Sequence, residues 1–216
     1  MLQDIVILGS QGCAKAALWL LESVNQEHNE WNILGFVDKL PARREVDGYP
    51  VLGDDQWLLC YRHPVCAVCA FGSPGLRRRV VEKYRHSTVR FPTILSPMAM
   101  CSSRLSFGSG NLVCSGAIME PDSVIQDFSI FNMGCTIGHE TYVGSFVTVN
   151  PTAAISGCVT LESGCEIGAG AKIIQGLRIG EDTVVGAGSV IIRDCPPHCT
   201  VVGNPGRIIK RDGIEA

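Results

Sequence analysis

The chain has 216 residues, enough for one large or two small domains, with 46% hydrophobic residues and a formal net charge of −3. That charge argues against nucleic-acid binding, which usually shows a basic face. No 18-residue apolar span is present, so no transmembrane helix is expected, and eleven cysteines without disulfide-framework spacing fit a reducing compartment.

The first ninety residues alternate strands with helices. Residues 4–8 (Asp-Ile-Val-Ile-Leu) read as a buried parallel strand, and the few residues before them lack the basic region of a signal peptide, so a cytoplasmic location is expected. Gly9-Ser10-Gln11-Gly12 follows, then a helical stretch over 13–24. Residues 33–37 form a second strand ending at Asp38, and 65–71 a third, ending at Gly72-Ser73-Pro74-Gly75 before a helix to about Tyr84. Residues 88–91 suit a fourth strand. Such alternation predicts a small doubly wound, Rossmann-like sheet, whose ligands lie beyond the carboxyl ends of the strands, where all three loops fall.

The Gly9-x-x-Gly12 loop suits a phosphate on backbone N–H groups at a helix start, or simply a tight strand-to-helix turn. It is not G-x-G-x-x-G, because Gln11 and Cys13 break that register, so a dinucleotide role is disfavoured. Asp38 is placed to accept a bond from a ribose hydroxyl or a substrate amine. Cys66 and Cys69 lie three apart on a strand and face opposite ways, which predicts buried apolar groups rather than a metal pair. Arg77-Arg78-Arg79, the longest basic run, reads as a solvated helix face.

The sheet domain is expected to end at Pro92, giving domains 1–92 and 93–216, with 93–104 leading into a different pattern. From Phe107 to Ile191 every sixth residue is apolar, fifteen times in succession. At 46% hydrophobic content, chance gives that run with odds on the order of one in 10⁵. Neither a helix (3.6) nor a strand (2) has a period of six, whereas a three-sided parallel β-solenoid does, each short strand and turn aiming one aliphatic at the axis. The residue after the aliphatic is often Gly or Asn, and the fourth after it is usually small, as at Ala117, Ser123, Cys135 and Thr141. Beyond Ile191 the frame is lost, and residues 202–210 follow as a closing segment, where a solenoid needs a polar cap to avoid an open sheet edge.

The solenoid holds one histidine in its hexads, His139, followed by Glu140. On the Ile137-Gly138-His139-Glu140 corner a side chain not aimed inward must point out, and an imidazole beside a carboxylate is suited to general-base work; alone, it would also pass for an ordinary surface histidine. A zinc hydratase on a hexad solenoid needs three histidines, so no metal is expected.

The hexads resemble the hexapeptide-repeat acyltransferases, whose solenoid is a left-handed β-helix. The strand–Gly9-x-x-Gly12–helix start, Val37-Asp38, Ala70-Phe71-Gly72-Ser73, Ile137-Gly138-His139-Glu140 and the 202–207 ending together resemble one subfamily over the whole chain. It comprises the bacterial sialic-acid O-acetyltransferases and UDP-4-amino-sugar N-acetyltransferases. The resemblance implies direct transfer from acetyl-CoA to a nucleotide-linked sugar, with His139 as base and Glu140 as its orienter. It further implies an oxyanion contact from the Gly157 N–H. The coenzyme groove is expected along one edge past Gly157, Ala169 and Ala187, with Thr148, Arg207 and Lys210 also on the coenzyme. A nucleotide sugar is expected on Gly9, Ser10, Gln11, Gly12, Asp38, Gly72 and Ser73, and a homotrimer is expected, its groove lying between subunits. No cysteine lies within a turn of His139, so no covalent intermediate is expected. Cys13 and Ser96-Pro97 replace positions where the subfamily commonly has histidine, which bears on the acceptor rather than the chemistry. Open alternatives are acylation of a sugar hydroxyl, a different acyl group, an amino-acid acceptor, and a non-catalytic nucleotide-sugar binder.

Overall fold

The computed structural model describes residues 2–39, 44–211 and 214–215. It divides into two compact units, Met1–Pro97 and Met98–Ala216.

In the first unit, the apolar run of β1 (Gln3–Leu8) is buried on both faces and pairs in parallel with β2 (Trp31–Val37). Between them α1 (Gly12–His28) buries Ala14, Ala17, Leu18, Leu21 and Val24, an i, i+3, i+4, i+7 stripe. It stops at Asn29, whose φ of 46° is the left-handed cap that asparagine tolerates. A hairpin of β3 (Glu45–Val46) and β4 (Tyr49–Gly53) follows, then α2 (Asp55–Leu59), capped by the Asp54 carboxylate on the N–H groups of Gln56 and Trp57. β5 (Cys66–Cys69) and α3 (Pro74–Glu82) complete the unit. The sheet order is β3-β4-β2-β1-β5, with β4 parallel to β2. The strand expected at 88–91 is reduced to a single bridge between Cys66 and Arg90. The position beyond β2 is taken by β4, where Gly35 makes room: a Cβ there would stand 2.3 Å from the Pro50 carbonyl oxygen.

In the second unit all fifteen positions from Phe107 to Ile191 are the second residue of a two-residue strand. Up to Lys172–Ile173 each strand pairs in parallel with the one 18 residues on, as Ile118–Met119 does with Thr136–Ile137 and that with Ala154–Ile155. Three sheets result, one per face, and Met100–Cys101 adds a further strand ahead of the Phe107 frame by pairing with Ile118–Met119. The axis is dry, with Val113, Phe131, Ile137, Val143, Val149, Leu161, Ile167, Ile179 and Val185 at 0% exposure. Small groups fill the space between them and also tie the coils together. Ser129 Oγ donates to the Gly144 carbonyl at 3.1 Å and accepts from the Val147 N–H at 3.0 Å, so a buried hydroxyl is satisfied on both sides. The last coil is closed by Cys199–Val202, paired antiparallel with Arg207–Arg211, which covers the open sheet edge.

Among the described residues no helix is long and apolar enough to cross a membrane.

Candidate active site

The His139 corner is fixed by its neighbours one coil away on either side. Ile137 is buried, and Gly138 has no room for a side chain: a Cβ there would lie 2.4 Å from the Gly157 nitrogen. The His139 N–H donates to Glu120 Oε2 at 2.9 Å, and the Glu140 N–H to the Pro121 carbonyl at 3.1 Å. Glu140 takes the left-handed turn (φ 55°), after which Thr141 is buried again. Below the corner, Ser123 Oγ donates to the Gly138 carbonyl at 2.9 Å and accepts from the Thr141 N–H at 3.1 Å. The backbone on both sides of the histidine is thus clamped, while its side chain is about half exposed.

The imidazole is oriented as well as anchored. Nδ1 lies 3.0 Å from Glu140 Oε2. With Nδ1–H donating to that carboxylate, the lone pair stays on Nε2. Gly157 underlies the ring: a Cβ there would fall 2.5 Å from Nε2 and 2.6 Å from Cε1. A glycine at 157 leaves room for the ring over the next corner, with Nε2 against the Gly157 backbone. Among the described residues no acceptor is bonded to the Gly157 N–H. A proton acceptor and, on the stacked glycine, an N–H without an acceptor among the described residues are the two kinds of group an acyl transfer needs, one for the nucleophile's proton and one for the oxyanion.

Two residues of this corner escape the sequence reading. Glu120 and Cys158 stand 19 residues either side of His139, and both arrive by the 18-residue coil. Cys158 repeats the left-handed position of Glu140 (φ 57°), and its Sγ lies 3.8 Å from Glu140 Oε2. The expectation that no cysteine approaches His139 is therefore corrected. Separation along the chain misleads where one coil returns the chain to the same corner.

The expected coenzyme residues do not share an edge. Ala169 and Ala187 are one coil apart and stack, the Gly188 N–H bonding to the Ala169 carbonyl, whereas Gly157 stacks with His139 on another corner. The reason is arithmetic: 12 residues separate Gly157 from Ala169, two hexads rather than three. Ala169 and Ala187 are exposed, Thr148 is only 2% exposed in this chain, and Arg207 and Lys210 are exposed on the closing hairpin.

The first unit forms a second site. Gly9, Ser10, Gln11, Gly12, Asp38 and Gly72 line one cavity of about 330 Å³ together with Cys13 and Phe71. Gly9 (φ +98°) packs against the Phe71 ring, its N–H bonded to the Val37 carbonyl. Ser10 Oγ donates to Asp38 Oδ2 at 2.5 Å, joining the first loop to the second. The first turn of α1 carries no side-chain cap, and its Gly12 and Cys13 line the cavity. Ser73 stands apart from the cavity lining and instead caps α3, accepting from the Leu76 N–H. The solvated-face reading of the basic run fits Arg79, which is exposed, but not Arg77: it is 0% exposed, and Nη1 donates to the carbonyls of Phe71 at 2.6 Å and Gly72 at 3.1 Å, holding the third loop in shape. Burial pushes the Cys13 thiol up, against the opposing pull of Arg77.

A hexad solenoid with an outward, carboxylate-oriented imidazole on a middle corner, preceded by a small parallel-sheet unit, defines a left-handed β-helix acyltransferase. Residues 4–84 match the PglD N-terminal domain, and residues 158–193 the bacterial transferase hexapeptide (six repeats). The GDP-perosamine N-acetyltransferase of Escherichia coli O157:H7 is 30% identical over 198 residues, covering 89% of each chain. PerB from Caulobacter crescentus, crystallised with CoA and GDP-perosamine, superposes with a TM-score of 0.88 at 31% identity, covering 96% of this chain and 98% of that one. The serine acetyltransferase of Synechococcus elongatus is 44% identical over 171 residues, 73% of this chain but only 61% of that protein's length. The chain belongs to the hexapeptide-repeat sugar acetyltransferases that carry a PglD-type N-terminal domain.

Proposed function

We propose that the protein transfers an acetyl group from acetyl-CoA to the amine of a nucleotide-linked amino sugar, with His139 as general base. The observation that carries this reading is the His139 ring, held by Glu140 through Nδ1 with its Nε2 packed against Gly157 on the next coil. In the proposed step Nε2 takes a proton from the attacking amine while its nitrogen adds to the thioester carbonyl. The resulting oxyanion is met by the Gly157 N–H, and collapse expels the CoA thiolate, which is protonated on leaving. Glu140 stabilises the transient imidazolium without itself being protonated.

The cavity at Gly9, Ser10, Gln11, Gly12, Asp38 and Gly72 would take the nucleotide sugar, phosphates toward the start of α1 and Asp38 toward a ribose hydroxyl or an ammonium. Three features favour this class of acceptor: the match over residues 4–84, and the perosamine-acting relative and solved structure, both of which align over nearly the whole chain. Coenzyme contacts at Thr148, Ala169, Ala187, Arg207 and Lys210 belong to the same proposal. Because Gly157 and Ala169 occupy different corners, a groove between adjacent chains would let one coenzyme meet both, which suits a homotrimer; a cytoplasmic location belongs to the same proposal. Val124 and Tyr142, paired one coil apart and both exposed, give one face an apolar strip suited to such packing. A second reading, acetylation of an amino-acid hydroxyl, is favoured by the 44% identity to a serine acetyltransferase.

The test is thiol release from acetyl-CoA with GDP- and UDP-linked 4-amino sugars and with serine. Turnover is expected with a nucleotide amino sugar, and His139→Ala should lower kcat by at least about 10²-fold with the acetyl-CoA dissociation constant little changed. Undiminished turnover in that variant would remove the base assignment, and turnover with serine alone would move the acceptor to the second reading.

A further inference from the structure

The same corner presents a second chemistry that acetyl transfer does not use. One ligand atom from each of His139, Glu140 and Cys158 lies within 4.8 Å of the others. Two of the separations are close to what a shared ion would impose: 3.0 Å from Nδ1 to Oε2 and 3.8 Å from Sγ to Oε2. Around a tetrahedral zinc ion, ligand atoms of these kinds stand about 3.3–3.6 Å apart. The third separation is at most 4.8 Å, so side-chain rotations can bring the three donor atoms around one cation.

The donor types select the ion. Imidazole, carboxylate and thiolate together suit Zn²⁺ and soft divalent ions, whereas Mg²⁺ and Ca²⁺ take oxygen ligands. The scaffold pre-sets the geometry. Glu140 and Cys158 hold equivalent left-handed positions on successive coils (φ 55° and 57°), and the Cys158 N–H bonds to the His139 carbonyl at 2.8 Å. All three side chains are exposed enough for an ion to reach them. Three protein ligands leave a fourth position open to water.

We propose that His139, Glu140 and Cys158 form a capture site for a soft divalent cation, with Zn²⁺ as the natural occupant. The bound ion takes Nδ1 and the Glu140 oxygen from each other and pins the ring. Ion binding rests on the geometry alone. That it also silences turnover rests on the proposed function, since only then is the His139 ring a working base.

The test separates the two. Zn²⁺ is titrated into the purified full-length protein without CoA, by calorimetry and by competition with a chromophoric chelator, and Co²⁺ is added in parallel. One saturable Zn²⁺ per chain is expected, together with a thiolate-to-cobalt charge-transfer band. Cys158→Ala should remove the band and weaken Zn²⁺ binding at least tenfold, Glu140→Gln should weaken it similarly, and Cys60→Ala, at the other exposed thiol, should change neither. In the acetyl-transfer assay the Zn²⁺ concentration for half-inhibition should rise at least tenfold in Cys158→Ala, each variant referred to its own metal-free rate. Absence of saturable binding, or equal affinity in Cys158→Ala, overturns the site. Binding that meets these criteria without inhibition keeps the site and counts against His139 as the base.

Discussion

At the scale of single residues, the glycine under the His139 ring carries the sharpest expectation. Gly157→Ala places a methyl group where Nε2 and Cε1 now lie, and the nearest atoms all belong to the His139 ring, so the side chain moves rather than the fold. We expect kcat to fall about 10- to 100-fold, with the unfolding midpoint almost unchanged. A variant with full activity would show that the ring need not lie over that corner. A different residue contributes to the acid sensitivity of the first unit. Burial pushes the Asp55 carboxyl up, but its bonds to Lys83 (2.5 Å) and Tyr84 (2.8 Å) outweigh this and hold it below the usual carboxylate range. A carboxyl whose pKa is lower in the folded than in the unfolded chain adds stability above the unfolded value, and that stability is lost as pH falls through the folded value. Asp55→Asn should therefore lower Tm at neutral pH and cease to matter in strong acid, as checked by melting curves from pH 7 to pH 2. The His139–Glu140 pair was legible as neighbours in the chain. Glu120 and Cys158 become so only when the 18-residue coil is counted outward from the histidine, because contacts between coils link residues distant in sequence.

At the scale of elements, a hexad contributes one aliphatic to the axis and one small group beside it. Ile137 is fully buried directly behind the His139 corner. Ile137→Ala should cost about 2–5 kcal/mol in chemical denaturation of the solenoid, since stacked coils cannot collapse to fill the hole. A cost below about 1 kcal/mol would mean that the axis is loosely packed. Period-six patterning was readable because burial along the axis leaves no position free to vary. The hairpin of β3 and β4 was not, for it is short, half-exposed and placed by Gly35 rather than by its own apolar pattern. Arg77 also resisted reading: a buried guanidinium becomes intelligible only when the two loop carbonyls that accept from it are located.

At the scale of the whole molecule, the separation of Gly157 from the Ala169–Ala187 column argues for assembly. If the coenzyme groove needs two chains, the protein should run in multi-angle light scattering at three times the monomer mass, and dilution that dissociates it should abolish turnover. A fully active monomer would defeat this expectation. By itself the sequence determined the two-part organisation, the solenoid with its fifteen inward residues, and the candidate base with its carboxylate, because periodicity and adjacency are local properties of a chain. Only the tertiary structure decided which corner lies above which, that Gly157 underlies the imidazole, that the six cavity residues converge, and that a thiol joins the histidine. Those facts depend on strand pairing and on the close fit of side chains between coils, and neither is written at any single position.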